Sequence, residues 1–317
     1  MDRLKVAVFA YHDIGYECLK VLMDSGDEIV AVVTHEDDPK EEIWFRSVAE
    51  LSKAHHLPVY TPSSPNTPAF IDLIRKLAPD LVFSFYYRRL LSGELLAVPR
   101  LGGINLHGSL LPKYRGRSPV NWVLINGESE TGVTLHYMVE KADAGDIVAQ
   151  RSVPIDMEDT ALSLFHKLTK AAVQFLKETY PQIRTGTAPR IPQDSQLATI
   201  FGGRRPEDGE IKWECSALAV YNLVRAVAHP YPGAFTYRNG KKLFLWSATL
   251  DGQPIRVTKE SQPPGTIAAV EKGKGVVVST GQGLLLATRA QFEGEEELAA
   301  DVLAERHKIP VGARLGR

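Results

Sequence analysis

Asn105, His107 and Asp143 are the residues of this 317-residue chain whose types and spacing carry chemistry most directly. Asn105-Leu106-His107 closes the apolar stretch GGINLH (102–107). Residues two apart in a strand point to the same face. An amide and an imidazole therefore enter one space, with Leu106 turned the other way. An amide N–H can hold a developing oxyanion, and an imidazole can take up and return a proton near neutral pH. Asp143 lies in the short turn KADAGDI (141–147) with Asp146, where a carboxylate can orient the imidazole and raise its basicity. Each residue also fits a purely structural role: His107 ending a strand, Asn105 bonding a neighbouring loop, Asp143 in an Asx-type turn. The segment after His107 favours a site. SLLPKYRGRSP (109–119) has Pro112 to stiffen it, Gly116 to turn it, and Lys113, Arg115 and Arg117 to meet an anionic ligand. His12-Asp13, behind the first apolar run, could line the same cleft or belong to a solvated loop.

Such residues need a frame. KVAVFA (5–10), EIVAVVTH (28–35), PVYT (58–61), DLVFSFYY (80–87) and GGINLH (102–107) read as buried strands, being short and apolar. Between them 15–24, 44–56 and 69–77 have helical spacing. Strands alternating with helices imply βαβ units and a mostly parallel sheet, of Rossmann-like α/β type. In open sheets of this kind ligands bind at the carboxyl ends of the strands, which is where Asn105 and His107 fall. A helix over 118–127 has Ser118 as its expected cap and Pro119 in its first turn. Strands over 131–139 and 146–155 alternate more, as near a sheet edge, and 159–183 is the longest helical pattern. Residues 187–210, rich in Pro, Gly and charge, read as a linker. A helix over 216–229 and several short strands follow, with Asn239-Gly240 as a hairpin turn. These imply a small β-barrel or sandwich, with the barrel as the expected form. The expected domains are 1–204 and 205–317.

Lys and Arg total 37 against 38 Asp and Glu, which argues against a partner held by phosphate neutralisation, so nucleic acid is not expected. Cys18 and Cys215 are far apart, which fits neither a disulfide scaffold nor a zinc cluster and suits a reducing cytoplasm. The first apolar run is too short for a signal-peptide core or a bilayer span. No G-x-S-x-G, G-x-G-x-x-G or Walker A sequence occurs. The histidines show no metal-ligand spacing, and His35, His55 and His56 read as surface residues.

Asn105-x-His107, followed by Ser109-Leu110-Leu111-Pro112 and Tyr114-Arg115-Gly116, with Asp143 in a D-A-G turn, resembles the folate-dependent formyltransferases. The resemblance implies His107 as proton carrier, Asn105 as oxyanion stabiliser and Asp143 as the partner raising the His pKa. It implies 10-formyltetrahydrofolate as cosubstrate, held by Arg89, Leu90, Leu91, Arg117, Val139, Glu140, Lys141 and Ala142, and no metal. VFAYHDIG (8–15), FSFYYRRLL (83–91), 105–128, 130–150 and VRAVAHPYPGAF (224–235) are most similar to members that formylate UDP-4-amino-4-deoxy-L-arabinose. That acceptor implies lipid A modification, resistance to cationic peptides, a cytoplasmic location and a decarboxylase acting upstream. Some members continue into an NAD-dependent decarboxylase domain, whereas this sequence ends at Arg317. A dTDP-4-amino-deoxyhexose, methionyl-tRNA, or a binding role without catalysis are the alternatives.

Overall fold

The computed structural model describes residues 3–39, 42–250 and 262–316. The chain divides into two compact units, one of residues 1–119, 130–154 and 165–202, the other of 120–129, 155–164 and 203–317.

The first unit is built on β1 (Lys5–Ala10), α1 (His12–Met23), β2 (Glu28–Val33), α2 (Val48–Ala54), β3 (Val59–Tyr60), α3 (Pro68–Leu77), β4 (Leu81–Phe85), α4 (Gly93–Leu96) and β5 (Gly103–His107). These are followed by β6 (Arg115–Gly116), α5 (Pro119–Ile125), which runs into the second unit, β7 (Glu130–Tyr137), β8 (Ile147–Pro154), α6 (Ala161–Arg184) and β9 (Ile200–Phe201). Seven strands form one sheet in the order β3-β2-β1-β4-β5-β7-β8. β3 to β5 pair parallel, as the alternation of strands and helices predicts, and β7 and β8 add antiparallel. Val6, Ala7, Val8, Phe9, Phe83 and Phe85 are fully buried, because helices cover both faces of a parallel sheet. The chain leaves β1 in one direction toward β3 and returns beside it as β4. That reversal opens a crevice at the carboxyl ends of β1 and β4, one strand from His107.

Three local expectations differ from what forms. The helix expected over 44–56 begins only at Val48, because Ser47 accepts the Glu50 N–H and caps it. Trp44 and Phe45 instead pack on His12, Phe45 stacked at 4.0 Å. Pro119 opens α5 as expected, but Ser118 sits at φ 55, not in the extended backbone of an N-cap. The expected linker contains β9, which pairs with β6.

The second unit holds α7 (Ala217–Val227), β10 (Ala234–Arg238), β11 (Lys241–Thr249), β12 (Ile267–Glu271), β13 (Gly275–Ser279), β14 (Leu284–Phe292), β15 (Leu298–Ala299) and α8 (Ala300–Arg306). Its strands form one antiparallel sheet in the order β10-β11-β14-β13-β12, with β15 added to β14. Asn239 and Gly240 turn the β10–β11 hairpin with positive φ at both positions, as a type I′ turn requires. Among the described residues no helix is long and apolar enough to cross a membrane.

Candidate active site

The β5–β7 register creates the centre of the site. Asn105 lies opposite His136 and His107 opposite Thr134, so facing side chains meet across the ladder. The Asn105 Nδ2 donates to His136 Nε2 at 3.0 Å, and His136 Nδ1 donates to the Tyr137 carbonyl at 2.9 Å. The His136 ring is thereby fixed between the amide and a main-chain carbonyl. The other Asn105 N–H reaches Asp143 Oδ1 at 3.4 Å. His107 Nε2 donates to the Tyr114 carbonyl at 2.8 Å, leaving Nδ1 facing Asp143 Oδ1 at 3.6 Å. His136 Nε2 lies 3.5 Å from the same oxygen. One carboxylate oxygen thus stands at the focus of an amide and two imidazoles, and all three expected residues come together.

The sign of each charge follows. Burial raises the Asp143 pKa, but His107, the contact with His136 and the Gly116 N–H on Oδ2 (2.8 Å) outweigh it and hold the carboxyl far below its usual range. His107 is buried, and burial holds its pKa below the ordinary 6.5 against the upward pull of Asp143 and the Tyr114 carbonyl. The expected raising by Asp143 is present as one contribution, and burial exceeds it. Near neutral pH the pair is therefore a neutral imidazole beside an ionised carboxylate. A proton arriving at His107 Nδ1 would complete the contact with Oδ1.

The loop between β5 and β6 is fastened from below. Thr134 Oγ1 donates to the Ser109 carbonyl (2.6 Å) and accepts the Leu111 N–H (3.2 Å), and Ser109 Oγ donates to the Lys113 carbonyl (2.7 Å). Lys113 and Arg117 are exposed. Arg115, expected to meet an anion, is instead buried and donates through Nε and Nη2 to Gln193 Oε1.

The three stretches assigned to the cosubstrate surround this centre. The Glu140 carboxylate lies against Gly93, so a side chain of the 139–143 turn reaches the backbone just after Leu91. Gly116, bonded to Asp143, brings Arg117 beside the same turn. Leu90 and Val139 are 64% and 48% exposed. Leu91 is buried, while Arg89, Glu140 and Lys141 are exposed and Ala142 half-buried. His35, read as a surface residue, is half-buried at the end of β2. It stacks on Tyr87 at 4.2 Å and accepts the Arg88 N–H at 3.0 Å. Burial, then Arg88 and Arg89, hold its pKa down to about 4. His12 packs among Trp44, Phe45 and Phe165, and Asp13 pairs with Arg46. Among the described residues no group of three or more His, Cys, Asp or Glu is arranged to hold a metal.

Sequence reasoning missed His136. Strand alternation places it on the face of Thr134, but the partner across the ladder depends on a register that the connecting α5 hides. His136→Leu removes the short acceptor from Asn105 Nδ2, leaving only the 3.4 Å contact to position the amide. Turnover at saturation is expected to fall about tenfold, as small misplacements of a reacting group do. An unchanged kcat would show that Asp143 alone positions the amide.

The sequence model of the family described as "Formyl transferase" matches residues 4–180, and that of "Formyl transferase, C-terminal domain" matches residues 204–308. The chain belongs to the formyl transferase family. Among solved structures it is similar to WlaRD, a sugar 3N-formyl transferase determined in the presence of dTDP and 5-N-formyl-THF. The TM-score is 0.71 at 20% identity, over 93% of this chain and 100% of that one. An N-formyltransferase from Helicobacter canadensis, in complex with folinic acid and dTDP-3-aminofucose, gives 0.68 at 20% identity over 90% and 98%. HypX from Aquifex aeolicus, in complex with tetrahydrofolic acid, gives 0.65 at 18% identity over 98% of this chain and 48% of that one. The chain thus spans about half the length of HypX, and at these identities the likeness is one of fold.

Proposed function

We propose that the protein transfers the formyl group of 10-formyltetrahydrofolate to the amino group of a nucleotide-linked sugar, with UDP-4-amino-4-deoxy-L-arabinose as the acceptor. The observation that carries this is the convergence of Asn105, His107 and His136 on Asp143 Oδ1. Binding alone does not require a buried, neutral imidazole facing a half-buried carboxylate. Arg89, Leu90, Leu91, Arg117 and Val139 to Ala142 would hold the folate, and the exposed apolar side chains of Leu90 and Val139 suit a flat ring.

His107, neutral near pH 7, accepts the proton that the attacking amine must lose. Asp143 stabilises the imidazolium that results, its Oδ1 facing the newly protonated Nδ1, while the Tyr114 carbonyl orients the ring through Nε2. Asn105 keeps its 3.0 Å bond to His136 and turns its weaker, 3.4 Å N–H from Asp143 to the formyl oxygen as negative charge develops there. His107 then returns its proton to the departing N10 of the folate. The pathway reading, lipid A modification fed by an upstream decarboxylase, and a domain boundary near residue 205 belong to the same proposal.

The test is an acceptor panel read by mass spectrometry. The protein and 10-formyltetrahydrofolate are offered UDP-4-amino-4-deoxy-L-arabinose, a dTDP-4-amino-hexose and methionyl-tRNA. A formyl adduct on the UDP sugar alone is the expected result. An adduct on another acceptor would overturn the substrate and keep the chemistry, and no adduct on any would overturn both.

A further inference from the structure

Residues 188–202 read as part of a linker and fall between the two family matches. They are instead a strap across both loops of the site. Thr199 accepts the Tyr114 N–H on Oγ1 (2.8 Å) and the Arg115 N–H on its carbonyl (2.9 Å), and the Phe201 carbonyl accepts the Arg117 N–H (3.0 Å). Phe201 stacks on Tyr114 at 4.9 Å, and a Cβ on Gly116 would collide with the Phe201 carbonyl. The strap therefore holds the residue whose carbonyl fixes the His107 tautomer.

Gln193 ties the strap to the other loop. Its Nε2 donates to the Asp143 carbonyl at 2.9 Å and the Gly145 carbonyl at 2.6 Å. Its Oε1 accepts from Arg115 Nη2 at 2.7 Å and Nε at 3.1 Å. Both amide protons and the oxygen are thus committed. The turn they grip is strained, with Asp143 at φ 52. We propose that Gln193 is a positioning residue, holding the 143–145 main chain so that the Asp143 carboxylate meets His107 and Asn105, and locking it to the Arg115 loop. A linker glutamine has no need of buried Arg115 and two carbonyls of a catalytic turn.

The kinetic part of the test rests on the formyl-transfer reading; the spectroscopic part does not. Gln193→Glu keeps the shape and strengthens the pair with Arg115 but cannot donate to the two carbonyls when ionised. Gln193→Met keeps the length and removes every bond. Gln196→Glu, exposed on the same strap, is the control. In both Gln193 variants kcat is expected to fall about tenfold or more, with KM for donor and acceptor within about twofold. Gln193→Glu is expected to melt as the wild type does. In the free proteins, the His107 titration followed by NMR is expected to move down, because Asp143 raises it against burial. A kcat within about twofold of wild type together with an unmoved His107 titration would overturn the proposal. So would a loss of kcat that tracks a loss of melting temperature in Gln193→Glu. If the wild type formylates nothing, the His107 titration alone decides, and an unmoved midpoint overturns the role.

Discussion

Asn105→Ala and His107→Ala are each expected to lower kcat by about two to three powers of ten while leaving the fold intact, the loss typical of one oxyanion donor or general base. Asn105 is half-buried at the end of β5, and among the described residues its amide bonds only His136 and Asp143. Its removal therefore disturbs the site and not the sheet. Steady-state turnover of the acceptor identified by the panel, alongside circular dichroism, is the measurement. Near-wild-type turnover in either variant would remove that residue from the chemistry. The pH dependence has a sign as well. In the proposed mechanism free-enzyme activity requires neutral His107, so kcat/KM is expected to rise as pH climbs through the His107 pKa, which burial holds below 6.5. In Asp143→Asn the upward pull of the carboxylate is gone, so that acid limb moves to lower pH while the maximal rate falls.

The second large effect is on stability and lies on the far side of the sheet. Asp27 is 3% exposed. Its carboxylate accepts the Tyr180 O–H at 2.6 Å, the Leu4 N–H at 2.9 Å and the Arg184 guanidinium at 2.9–3.1 Å. This cluster ties the last turns of α6 to the edges of β1 and β2. Burial raises the Asp27 pKa, but Arg184, Tyr180 and the Leu4 N–H more than offset that and leave it lowered. Asp27→Asn turns an N–H toward donors and strands buried groups at about 1–3 kcal/mol each. We expect the melting temperature to fall by about 5–10 °C. A folded-state pKa below the unfolded value means the contribution is present above about pH 4 and is lost as pH falls through the folded value. The gap between variant and wild type in thermal melts should therefore close on acidification below about pH 4. A constant gap down to pH 3 would show that the carboxylate's charge is not what matters.

The parallel frame and the chemical pair at the end of β5 were both visible in the sequence. A buried parallel strand is a continuous apolar run, and two residues two apart share a face whatever the tertiary context. Asp143 was visible for a local reason as well, since a D-A-G turn announces itself. His136, Gln193 and Asp27 were not. Each acts through a partner 31 to 157 residues away, and no local periodicity encodes a cross-strand register or a strap. Composition misled at 187–210 because Pro and Gly suit a segment threaded tightly between loops as well as one that hangs free. Arg115 misled in the same way, because a cation in a glycine-rich loop looks solvated until its partner is known.

Asp143 sits in left-handed backbone, where most side chains are disfavoured by about 1–2 kcal/mol and Asp and Asn are tolerated best. Position 143 is therefore chosen twice, once for its charge and once for its φ. An alanine scan would merge the two: Asp143→Ala deletes the carboxylate and also lets the turn relax, so its rate loss overstates the chemical share. Asparagine holds the backbone and changes only the charge, and glycine relaxes the backbone most of all. The difference between those two variants measures how much of the catalytic power is stored in the shape of the main chain.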